Sequence, residues 1–185
     1  AGYASGAEGL RHLGVSAVEV AIDKEGKARS LVSDAPLDLT GEDLGAFRDE
    51  LETNGLRVCA FLCSQNFNAE DRDAQIKWVV NAVKAADALD VPALRIDSAM
   101  SGQAELPLED RIRIFADAVV EVLRATPGSQ VALGIENHGR QGNDPEWMRG
   151  VIQRVGSPRL GLTLDVGNWY WYGHPLSRVY DIYRE

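Results

Sequence analysis

Several of the chain's polar side chains stand where apolar runs stop. Glu136-Asn137-His138 closes the run VALGIE at 131–136, and Asp165, with Asn168 shortly after it, closes LGLTLD at 160–165. Arg95 and Asp97 sit in and at the end of ALRID at 93–97. Cys63 and Ser64 end LRVCAFLCS at 56–64, and Glu19 lies inside GVSAVEVAI at 14–22. If neighbouring strands gather these carboxylates, something positive must sit among them, because like charges close together raise each other's pKa. A divalent cation, which takes oxygen ligands, meets that need.

Each position also has a plainer reading. Glu136 ends an apolar run and is a poor core residue; the alternative to ligation is capping loop amides or pairing with an arginine. Asp165 precedes Gly167, and Asp often bonds its own backbone two residues on. His138 suits substrate contact, metal ligation or a loop position. Asn168 can donate to a hydroxyl or simply turn the chain after Gly167, and His174 can shape the helix start at Pro175. Arg95 is expected to pair with one of the carboxylates. Trp169, Tyr170, Trp171 and Tyr172 form an aromatic cluster in the loop after Asp165, suited to packing a rim or walling a sugar pocket. Ser64 has no Ser-His-Asp context.

The elements that must hold these residues alternate along the chain. Strands are expected at 14–22, 56–64, 93–97, 131–136 and 160–165. After the first comes a loop with Gly26 and a polar stretch to Asp38. Thr40 then caps a helix, with Asp43 in a capping-box-like place; Leu44, Phe47 and Leu51 share its face and Asn54-Gly55 stops it. Ile76, Val79, Val80 and Val83 follow helical spacing, as do Ile112, Phe115, Val119 and Leu123 up to Pro127-Gly128. Asp144 with Pro145 is a strong helix start; Met148, Val151, Ile152 and Val155 form the apolar face, and Gly156 ends it. Pro175 begins a last helix with Leu176, Val179, Tyr180 and Tyr183. Five strands, each followed by a helical pattern, predict a parallel sheet, and their apolar character suggests burial on both faces. An open doubly wound sheet and an eight-stranded α/β barrel both fit. No GxGxxG follows a strand and no Walker sequence is present. In a barrel the C-terminal strand ends converge on one mouth, where active sites form.

Composition agrees with a globular domain: 185 residues, 45% hydrophobic and 25% charged. No apolar run is long enough to span a membrane. The net charge of −9 disfavours phosphate backbones, so no nucleic-acid partner is expected. Cys59 and Cys63, four apart on one strand, are expected to face the same side, too far apart for an easy disulfide. Two free thiols fit a reducing cytoplasm. The first residues lack the basic region and apolar core of a signal peptide, and no Met begins the chain.

At GIENHG (134–139) and GLTLDVGN (161–168) the chain resembles the xylose-isomerase-like TIM-barrel superfamily, the class of sugar phosphate isomerases and epimerases. LGVSAVEV resembles the family's second strand, preceded by the tail of its first helix. GLRVCAFLC resembles the third strand and VPALRID the fourth. The resemblance implies an α/β fold: a (β/α)8 TIM barrel present in part, about strands 2 to 6, as one domain over 1–185 of a longer protein. It implies four metal ligands, Glu, Asp, His and Glu. Glu136 matches the first and Asp165 the second; the other two belong to strands outside the chain. Asn168 stands where many relatives have a substrate-contacting His, which weakens an assignment to the ketose 3-epimerases.

The implied cofactor is a divalent ion (Mn, Mg, Co or Zn), and the implied substrate a small sugar or sugar phosphate. Glu136 would be ligand and acid/base catalyst in an isomerisation or epimerisation through an enediolate. Asp165 would be a ligand only, with His138 and Asn168 holding substrate hydroxyls. A homo-oligomer is compatible with the class. Two other readings compete: an endonuclease IV-like phosphodiesterase, disfavoured by three His and the net charge, and a non-catalytic sugar-binding barrel. An isolated fragment with open strand edges is expected to be prone to association.

Overall fold

A computed structural model describes residues 2–98, 101 and 105–183. The elements are α1 (Gly6–His12), β1 (Ala17–Ala21), β2 (Lys27–Arg29), β3 (Pro36–Asp38), α2 (Leu44–Asn54), β4 (Arg57–Cys63), α3 (Arg72–Ala88), β5 (Ala93–Asp97) and α4 (Leu108–Ala125). They continue with β6 (Ala132–Glu136), α5 (Gly139–Gly142), α6 (Pro145–Val155), β7 (Leu160–Thr163), α7 (Val166–Trp171) and α8 (Leu176–Tyr183). The five expected strands are β1, β4, β5, β6 and β7, and they pair in that order, every pair parallel. Sequential βα units adding one strand at a time to the same edge make the wall of a TIM barrel, whereas a doubly wound sheet reverses its strand order.

The strands have two unlike faces. Leu94 and Ile96 on β5, and Leu133 and Ile135 on β6, are buried against the helices. The helix layer is itself joined, α3 packing on α4 and α4 on α6. Phe67, Phe115 and Trp147 run edge-to-face through it, with ring centroids 5.2 and 4.9 Å apart. Such pairs add about 0.5–1.5 kcal/mol each beyond area burial. Burial on both faces was expected, but the concave face is only partly covered. Ala60, Ala93, Gly134, Gly161 and Thr163 line a cavity of about 290 Å³ there. Small side chains cannot fill the space that the curving wall encloses.

The helix starts and stops follow local chemistry. Asp144 caps α6, accepting from the Glu146 and Trp147 N–H groups, with Pro145 in the first turn. Gly55 and Gly156 take left-handed φ of 62° and 58° at the ends of α2 and α6, where a Cβ would be strained. Ile76, Val79, Val80, Val83, Ile112, Phe115, Val119, Met148 and Val151 are all buried. Tyr180 is exposed, and the side chains of Leu176, Val179 and Tyr183 lie outside the described residues. Among the described residues no helix is long and apolar enough to cross a membrane.

Four local expectations change. The N-cap of α2 is Asp43 rather than Thr40; its carboxylate accepts from the Asp38 N–H, and Thr40 instead bonds Asp38 Oδ1. The polar stretch 24–38 holds the antiparallel hairpin β2–β3, closed where the Ser30 N–H donates to the Ala35 carbonyl at 2.8 Å. The segment after Asp165 is the helix α7. A one-residue bulge at Cys59, where Val18 pairs with Val58 but Glu19 with Ala60, breaks the alternation between the two cysteines. Both thiols are free; Cys63 lies on the helix-covered face, where burial pushes its pKa far up.

Gly134 sits between Arg95 and Gly161 in the parallel register. A Cβ placed on it would lie 2.2 Å from Thr163 Oγ1 and 3.5 Å from Thr163 Cβ. Gly134→Ala is therefore expected to destabilise the fold by about 1–3 kcal/mol in urea unfolding. Adding Thr163→Ala should recover most of that loss. Additive costs in the double variant would refute the contact.

Candidate metal and substrate site

The mouth of the sheet is built by residues that end β5, β6 and β7. β5 and β6 stay paired to their last residues, so Asp97 lies opposite Glu136. Two carboxylates side by side at a strand end repel, and Arg95 resolves it. Two residues before Asp97, it points to the same concave face. Its Nη1 donates to Glu136 Oε2, and its Nη2 lies 3.2 Å from Asp97 Oδ1. The pair expected of Arg95 is thus a bridge to two carboxylates. The side chains of Arg95, Asp97 and Glu136 are 22%, 7% and 12% exposed, so solvent screens this bridge little.

His138 completes the cluster. Its N–H donates back to the Glu136 carbonyl at 2.8 Å, a tight turn that swings the imidazole over the strand end. Its Nδ1 lies 3.8 Å from Asp97 Oδ1. Each of Asp97, Glu136 and His138 offers a ligand atom within 4.8 Å of the others. Asp97 Oδ1 and His138 Nδ1 are both buried, and Oδ1 is also ion-paired with Arg95 Nη2.

Burial raises the Asp97 carboxyl above its ordinary value, with Arg95 first and then His138 working against the rise. Glu136 is also raised, first by burial; Arg95 and His138 oppose that, while the negative charges of Asp97 and Asp165 add to it.

Asp165 stands one strand further on, as the N-cap of α7. Its Oδ1 accepts from the Gly167 N–H at 2.7 Å and the Asn168 N–H at 3.0 Å. The turn-forming reading is therefore present, and it engages Oδ1. Asn168 lies in the first turn of α7, held through its own N–H. The aromatic cluster divides: Trp169 is buried edge-on against His174, with ring centroids 5.2 Å apart, while Tyr170 and Trp171 face solvent. Ser64 and Arg95 line a second cavity of about 670 Å³, between β1, the β2–β3 hairpin and the mouth, with Lys27 and Arg29 on its hairpin side.

The structure thus brings Glu136 and His138 together and sets Asp165 within electrostatic reach of Glu136. Sequence reasoning counted Asp97 among the strand-end carboxylates but assigned it neither a ligand nor a substrate role. It named Asn137 without giving it a role and overlooked Gln65 and Ser98; all three are buried polar residues at the same strand ends. Their signal was position alone, within two residues of where an apolar run stops.

The residues fit a divalent cation. Carboxylate oxygens suit Mg and Mn and an imidazole suits Zn, and ligand atoms of two carboxylates and an imidazole gather within 4.8 Å of one another at a largely buried strand end.

Comparison with known proteins bears on the fold. A xylose isomerase domain protein from Planctomyces limnophilus superposes with a TM-score of 0.67 at 18% identity, over 100% of this chain and 67% of that one. The apo form of 3-keto-D-glucoside 4-epimerase, YcjR, from E. coli gives 0.73 at 12% identity, over 96% and 68%. D-psicose 3-epimerase in the presence of D-fructose gives 0.69 at 15%, over 95% and 62%. The chain thus spans roughly two-thirds of the length of these structures. No curated protein sequence matches it. The xylose isomerase-like TIM barrel family matches residues 8–184, and the chain belongs to that family.

Proposed function

We propose that this chain supplies part of a divalent-metal site in a sugar or sugar-phosphate isomerase or epimerase, as one partial barrel domain of a longer protein. The observation that carries the reading is the convergence of Glu136, Asp97 and His138 at the mouth, with the Asp165 carboxylate acting on Glu136 from the next strand. The likeness to sugar epimerase structures supports the substrate class. The 670 Å³ cavity beside Arg95 is of a size for a small ligand.

In this reading Glu136 and Asp165 hold the ion, Asp165 through the oxygen that does not cap α7. The ion, whether Mn, Mg, Co or Zn, would supply Lewis-acid polarisation of a substrate carbonyl. Glu136 takes the proton from the carbon beside that carbonyl. In an isomerisation it returns that proton to the neighbouring carbon; in an epimerisation a second acid on the opposite face of the enediolate supplies the returning proton. The burial of Glu136 suits this, since a carboxyl with a raised pKa exchanges protons more readily near neutral pH. His138 and Asn168 hold substrate hydroxyls. Arg95 keeps Glu136 and Asp97 from repelling each other.

The test is turnover of a panel of ketoses and ketose phosphates by full-length protein, stripped of metal and then reloaded with each ion. Glu136→Gln is expected to lower kcat by about 10²–10⁴-fold. Equal turnover in wild type and variant would remove Glu136 from the mechanism. Sugar binding without turnover, indifferent to metal, would favour a binding barrel.

The raised Asp97 pKa makes a separate prediction. The folded state keeps a proton that the unfolded chain releases at its ordinary, lower pKa. Stability therefore falls as pH rises from the ordinary carboxylate range through the raised value. Asp97→Asn should flatten that fall in urea midpoints measured across acidic pH. Part of the slope should remain, because Glu136 is shifted in the same direction. Superimposable pH slopes for variant and wild type would contradict the buried carboxyl.

A further inference from the structure

The acidic strand ends are held by side-chain amides that stand in for missing sheet. The ladder between β5 and β6 runs out to Asp97 and Glu136. The ladder between β4 and β5 stops earlier, at Cys63 and Ile96, and that between β6 and β7 stops at Glu136 and Thr163. Asp97 and Asp165 thus lie just past the end of one pairing each. At both places a wholly buried amide takes over.

Gln65 Nε2 donates to the Asp97 carbonyl at 2.8 Å, and its Oε1 accepts the Asp97 N–H at 3.1 Å. Asn137 Nδ2 donates to the Asp165 carbonyl at 2.8 Å, and its Oδ1 accepts the Asp165 N–H at 2.6 Å. A carboxamide carries a donor and an acceptor side by side, as a backbone peptide does, so it can satisfy both main-chain groups at once. Asn137 is itself held by Asn143, whose Oδ1 accepts from Nδ2 at 3.1 Å. Between the two amides, Ser98 Oγ donates to the His138 carbonyl. Ser98 is packed against Gly142, where a Cβ would lie 2.2 Å from Oγ. The result is one line of buried and part-buried hydrogen bonds across the ends of β4, β5, β6 and β7.

We propose that Gln65 and Asn137 are positioning residues, which set the Asp97 and Asp165 carboxylates relative to Glu136 by fixing the backbone each carboxylate hangs from. This rests on the metal-site reading above. Neither amide bonds a carboxylate oxygen of Asp97 or Asp165, so each acts through the main chain and leaves those oxygens to the site.

The experiment uses full-length protein and compares Asn137→Leu and Gln65→Met, which keep side-chain volume and remove the amide. Val122→Ala, a buried residue of α4 in the helix layer, is the control for lost stability alone. Two quantities are read: the Mn²⁺ dissociation constant by calorimetry, and amide hydrogen exchange at Asp97 and Asp165 by NMR. Asn137→Leu should weaken Mn²⁺ binding about 10–100-fold, as loss of groups that orient metal ligands does. It should also release protection at Asp165. Gln65→Met should release protection at Asp97. Val122→Ala should lower the unfolding midpoint and leave both readouts unchanged. Wild-type affinity in Asn137→Leu would overturn the positioning role, and so would an equal loss in Val122→Ala. If wild type binds no Mn²⁺, the metal reading falls, and exchange alone decides the brace: unchanged protection at Asp97 and Asp165 in the two variants overturns it. Should Asn137→Leu fail to fold, Gln65→Met carries the exchange test.

Discussion

The Arg95 bridge is the interaction on which the mouth depends. Asp97 and Glu136 end adjacent, fully paired strands, so the register itself forces two carboxylates together. Both are largely shielded from water, where repulsion between like charges is strong. A guanidinium with several donors in a rigid fork can satisfy two carboxylates from one position, which a lysine ammonium does less well. Arg95 can reach both because its strand position puts it on the same face as the two carboxylates.

The rest of the architecture serves that mouth. The helix layer buries one face of every strand and holds the wall's curvature through contacts among α3, α4 and α6. The other face carries mainly small residues and leaves room. Where the ladders end early, Gln65 and Asn137 take over their hydrogen bonds. Stability and site geometry are therefore linked: the groups that satisfy the backbone at the strand ends also determine where the acidic side chains stand.

Asp165 shows how one residue can meet two demands. Its Oδ1 satisfies two N–H groups at the start of α7, where orphan donors and the helix dipole both favour negative charge. A carboxylate has a second oxygen, so capping and ligation need not compete. The aromatic segment that follows is organised by the same cap, with Trp169 turned inward while Tyr170 and Trp171 reach solvent.

Much of the fold was legible in the sequence because it is local. Apolar runs of strand length, helical spacing of apolar residues, the Asp144-Pro145 start and the Gly55 and Gly156 stops all act within a few residues, and each element formed close to where it was expected. The β2–β3 hairpin was missed, since its three-residue strands carry mixed polarity and are joined by a turn with no glycine. The helix α7 was missed because aromatic residues have little helical propensity, and the cap at Asp165 decides its conformation. Glu136, His138 and Asp165 could be named from motif and position alone. That Asp97 joins Glu136 and His138, that Arg95 bridges two carboxylates, and that Gln65 and Asn137 brace the mouth could not. Those facts depend on which strands are neighbours and on where each ladder ends, quantities of register that exist only once distant segments have paired.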